Sequence, residues 1–76
     1  MRRQERIEEL SRQFHIRYEE NASYMGWGTQ PASRQSWEKL PIANRRTTRM
    51  TVWQVVGPLL DEIDRLKERV AELEAP

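Results

Sequence analysis

The chain has 76 residues, no cysteine and one histidine, which excludes disulfides, thiolate metal sites and cysteine nucleophiles and leaves too few ligands for a histidine zinc site. Apolar residues are 37% and charged residues 33%; no apolar run approaches the ~20 residues of a membrane span, and the basic start Met1-Arg2-Arg3-Gln4-Glu5-Arg6 lacks the apolar stretch of a secretory signal, so a cytoplasmic chain without a membrane partner is expected. Net charge is only +1, but the middle is basic and the tail acidic, and a chain this short buries only about 60% of its unfolded surface, so self-association is the expected further source of stability.

The first predicted element is a helix over about residues 3–22. Ile7, Leu10, Phe14, Tyr18 and Ala22 form one stripe at helical spacing, and Glu8 and Arg12 form an i,i+4 pair in the favourable order. Asn21, Gly26 and Gly28 supply stop signals. Residues 23–36 have no period and read as a loop. It carries Tyr24, Met25 and Trp27, so it either packs back on the core or forms the wall of a site. Residues 37–40 form a short turn, because Leu40 precedes a proline and is pushed out of the helical region. Pro41 suits the first position of a second helix, about 41–56. The run Thr47, Thr48, Thr51, Val52, Val55, Val56 favours a strand by propensity. A lone strand would have no pairing partner here, so the helix is the expectation. Gly57-Pro58 reads as a break, with a third helix over about 58–74. Asp61, Glu62 and Asp64 lie early in it and Lys67 and Arg69 late, in the order the helix dipole favours. The expected fold is all-α: one domain, 1–76, a bundle of three helices with a Gly/Trp-containing loop.

The strongest pattern is near the C-terminus. Val52, Val56, Leu59, Ile63, Leu66, Val70 and Leu73 are spaced alternately four and three apart. With Val56, Ile63 and Val70 at a and the others at d, the pattern favours a parallel two-stranded coiled coil. Glu62 and Arg69 at g would face Lys67 and Glu74 at the next e positions of a partner. The alternative is that the stripe docks on the first helix within one chain. Pro58 interrupts the heptads and leaves barely two and a half, so a dimer or higher oligomer should recruit the body of the protein as well.

No catalytic constellation is present. The serines and His15 lack a nucleophile context, and Gly26-Trp27-Gly28 lacks the third glycine and preceding strand of a dinucleotide fingerprint. No enzyme activity, metal or cofactor is therefore expected. For binding, residues 24–53 interleave Tyr24, Trp27, Trp37 and Trp53 with Arg34, Lys39, Arg45, Arg46 and Arg49. Aromatic faces stack on bases and arginine forks match phosphates. The tryptophans could equally be core, with Trp53 and Trp37 the first choices and Trp27 the best ligand face. The arginines could equally be a solvated helix face. Eleven of the thirteen basic residues are Arg, a bias that a GC-rich genome also produces.

The order His15-x-x-Tyr18, Gly26-Trp27, Trp37-x-x-Leu40-Pro41 and Asn44-Arg45-Arg46-x-x-Arg49 resembles a shortened ryanodine-receptor-repeat domain over residues 14–56, with Tyr18 where that family has tryptophan. The resemblance implies a compact helical module of the kind found in small bacteriophage proteins. Taken with the Arg/Trp-rich middle, it points to His15, Tyr18, Trp27, Arg34, Trp37, Arg45, Arg46 and Arg49 as the residues around a nucleotide-derived signal. The residues and the resemblance together leave three functions open. The first is a non-enzymatic oligomer that sequesters such a signal as an anti-defence sponge, the subunit interfaces supplying the concavity. The second is an interaction module docking on a host protein. The third is a small DNA-binding protein using the 41–56 helix, against which the acidic tail and low net charge count.

Overall fold

The computed structural model describes residues 2–76; Met1, where the basic N-terminal stretch begins, lies outside them. The described residues form helix α1 (Arg3–Tyr24), two short 3-10 turns (Pro31–Ser33 and Trp37–Lys39) and helix α2 (Ile42–Glu74), with no strand. The all-helical class is as expected. The count is not: there are two long helices instead of three, because α2 runs without a break through Gly57-Pro58.

The reason lies in what spans the proline. Gly57 is buried, and its carbonyl faces the start of α1. Arg3 of α1 donates to the Gly57 carbonyl at 3.4 Å and pairs with Asp61 at 3.0 Å and Asp64 at 2.8 Å. Arg6 adds a longer contact to Asp64 at 3.8 Å. One end of α1 therefore grips α2 on both sides of Pro58. The β-branched run just before it is also helical. Thr48 and Thr51 each donate their hydroxyl to the carbonyl four residues back, at 2.9 and 2.8 Å, which satisfies it without leaving the helix.

The two helices pack antiparallel. Ile7, Val52 and Leu60 form the buried contact, with Leu10 and Val56 against it. Ser11 is fully buried one turn after Ile7 and donates its hydroxyl to the Ile7 carbonyl at 2.6 Å, so a small side chain sits where the helices meet. Helix α1 ends in a Schellman motif: Gly26, at φ +80°, donates to the Ser23 carbonyl, and Trp27 donates to the Ala22 carbonyl at 3.0 Å. Leu40 is extended, as the following proline demands, and buried.

The molecule measures 56 × 26 × 17 Å, with a radius of gyration of 16.3 Å. A globular chain of this length would have about 11 Å. The excess is the last part of α2. At about 1.5 Å per residue α2 is about 50 Å long, and the α1 ion pairs reach no further than Asp64. Residues 65–76 are all exposed.

Candidate functional site

The heptad stripe is divided between two surfaces. Val52 is buried and Val56 half-buried against α1, so this end docks within the chain. Leu59, Ile63, Leu66, Val70 and Leu73 remain open, between 41% and 73% exposed. Leu60, which is outside the heptad register, takes the internal place that Leu59 would have filled. Docking on the first helix, the alternative to the coiled coil, therefore holds for Val52 and Val56, and the rest of the stripe is unpartnered among the described residues.

The tryptophans separate in the same way. Trp37 is core, 3% exposed, and its indole Nε1 donates to Glu8 Oε1 at 2.8 Å. Arg49 forks onto the same carboxylate, with Nη2 donating to Oε1 at 3.1 Å and Nε donating to Oε2. Its guanidinium also lies over the Trp37 ring, 5.4 Å from the centroid. The Arg49 fork, with help from the Trp37 N–H, holds the Glu8 carboxyl at about 2 against burial that pushes it up, and Glu8 in turn raises the Arg49 guanidinium. Trp53, expected in the core, is 51% exposed. It follows Val52 directly, so it is turned about 100° away from the face that meets α1. It borders a shallow depression with Arg3, Gly57 and Pro58 instead. Trp27 is half-exposed, edge-on to Tyr18 at 5.7 Å, and Tyr18 stacks on Phe14 at 5.8 Å.

Of the eight candidate ligand residues, His15, Arg34 and Trp37 line one groove of about 410 Å³ between α1 and the 34–38 segment, together with Arg12, Glu19 and Glu38. Tyr18 and His15 share a smaller depression of about 170 Å³ on the neighbouring side, with Phe14, Asn44 and Thr48. The loop is tied down rather than loose. Thr29 donates its hydroxyl to the Glu19 carboxylate at 2.6 Å, Arg34 donates to the Thr29 carbonyl, and His15 Nε2 lies 2.6 Å from the Gln35 carbonyl. Arg12 pairs with Glu38. Two arginines are thus balanced by two glutamates in the groove. Trp27 and the arginines of α2 line neither space. Arg49 is committed to Glu8, Arg45 is half-buried with its Nε enclosed and without a partner among the described residues, and Arg46 is exposed.

Sequence reasoning missed Glu8 as the hub of this cluster, treating it only as a partner of Arg12. The available signal was its place beside the apolar stripe, next to Ile7, where a carboxylate faces the edge of a helix contact. Among the described residues no group of three acidic or histidine side chains is placed to hold a metal ion. No described helix is long and apolar enough to cross a membrane. No family model, curated protein or solved structure matches the chain.

Proposed function

We propose that this protein is a non-enzymatic interaction module that works as a parallel homodimer and offers its two helical hairpins to a partner protein. The observation that carries the reading is the free apolar stripe from Leu59 to Leu73 on a helix that outruns α1, the helix it packs on. A second copy is the occupant that its charges suit. In a parallel pair Glu62 faces Lys67 and Arg69 faces Glu74 at successive g and e positions. Lys67, Arg69 and Glu74 make no ion pair among the described residues, and the exposed Glu62–Arg65 pair on one helix turn is cheap to exchange. At the far end Tyr24, Met25, Trp27 and Ile42 are each at least half-exposed, an apolar tip presented twice by the dimer. Sedimentation equilibrium at micromolar concentration tests the reading. A species of twice 9.1 kDa that reverts to 9.1 kDa in Leu66→Glu is expected. A wild-type protein that sediments only at the single-chain mass overturns it.

The groove favours a second reading, capture of a nucleotide-derived signal. Its volume is in the range of small-molecule sites, and it gathers His15 and Trp37, two of the residues that carry the ryanodine-receptor-repeat resemblance, with Arg34 of the basic middle. In a bacteriophage such capture would withhold the signal from a host defence. Calorimetric titration with cyclic and ADP-ribose-type nucleotides, with and without Arg34→Ala, decides it. Heat that is lost in the variant supports the reading, and no heat with any nucleotide removes it.

A further inference from the structure

The geometry points to a dimer seam that does not stop where the free stripe meets the hairpin, but continues onto its body through Val55, Thr48 and Phe14. The inference rests on the homodimer reading above. The stripe from Leu59 to Leu73 spans little more than two heptads, whereas a sustained coiled coil needs about three to four, and isolated helical segments of about 12–15 residues are marginal in water. Further contact must come from the hairpin. The a and d positions one heptad earlier cannot supply it, because α1 already covers Val52 and Val56.

Of the adjoining g positions Val55 is open and Thr48 half-buried. Val55 lies four residues before Leu59 on the same side of α2 and is 65% exposed; Thr48 lies a further seven back. Thr48 and Phe14 border one depression, so the side of α2 that carries Val55 is continuous with the half-exposed ring of Phe14 on α1. In a parallel pair Val55 at g faces Leu60 at e of the second copy, beside which that copy's own α1 packs. The seam therefore shifts from a and d to g where α1 intervenes, and the second copy covers both helices of the first.

Sedimentation equilibrium of the full-length chain, with circular dichroism as the check on folding, separates this from the parent reading. Val55 is mostly open to water within one chain, so Val55→Lys should leave helicity unchanged. It sets two like charges in the seam and should weaken dimerisation at least about tenfold, with Gln54→Lys on another side of α2 leaving it unaltered. Should Val55→Lys change helicity, Phe14→Lys interrogates the same seam from α1. A Val55→Lys protein that dimerises as wild type does, while Leu66→Glu is monomeric, overturns the extended seam and leaves the dimer reading standing. A monomeric wild type removes both.

Discussion

Glu8 is where three segments converge: its own helix α1, the turn that carries Trp37, and Arg49 of α2. Each of the others would be costly alone. The indole N–H would be buried without an acceptor, and the guanidinium would lie over the ring without a counter-charge. Because the Glu8 carboxyl is held at about 2 rather than the ordinary 4.5, folding favours its ionised form. That contribution is complete above pH 4.5 and is lost as the pH falls toward 2. The drop would correspond to about 3 kcal/mol if unscreened. With 38% of the Glu8 side chain open to water, on the order of 1–2 kcal/mol remains. Urea unfolding of wild type and Glu8→Gln at pH 7, 4 and 3 should show the gap between them closing across that interval; a constant gap would refute the coupling. Trp37→Phe keeps most of the buried ring but removes the N–H donor. It should cost about 1–2 kcal/mol and raise the Glu8 carboxyl toward 4.5, which a carboxyl-selective NMR titration reads directly.

At the scale of the elements, Gly57-Pro58 carries the largest lesson. A glycine followed by proline is a locally sound place to end a helix, and nothing local to it says otherwise. What overrides it is Arg3, more than fifty positions away in sequence, bridging the Gly57 carbonyl and two aspartates beyond the proline. Such a contact cannot be read from a window of neighbouring residues. The start of α2, the end of α1 and the extended Leu40 were legible because proline geometry and the Gly26 cap act within a few residues. The site was less so. Trp37 could be expected inside, but Arg49 and Trp53 could not be assigned to sides of α2 until the position of α1 was known. The two glycines should respond to alanine in opposite directions. A Cβ at Gly57 meets nothing within 4 Å, so Gly57→Ala should stabilise the helix by about 0.5–1 kcal/mol. Gly26 sits at φ +80°, and Gly26→Ala should destabilise by about 1–2 kcal/mol. Thermal melts of the two variants against wild type check both signs, and a loss of stability in Gly57→Ala would show that α1 needs a closer approach than an alanine permits.

At the scale of the molecule, the shape separates what holds one chain together from what would hold two. The buried hydrophobic contact and the ion pairs between the helices lie at or before Asp64, while the exposed apolar residues beyond it have no part in the hairpin. A chain ended after Lys67 should therefore still form the hairpin, with Ile7, Val52, Leu60 and the Glu8 cluster in place. It should lose the association that Val70 and Leu73 would drive. Melting temperature distinguishes the two consequences, because a state stabilised by dimerisation melts higher as the concentration of chains rises, whereas a monomer does not. Over a range from about 1 to about 100 μM, each tenfold rise would add up to about 1.4 kcal/mol per dimer through mass action. Wild type should therefore melt at a temperature that climbs with concentration, and the shortened chain at one that stays fixed. A shortened chain that no longer folds would mean that the overhang supports the hairpin through contacts other than those between α1 and α2. A wild-type melt independent of concentration would mean that the free stripe is left to a different protein.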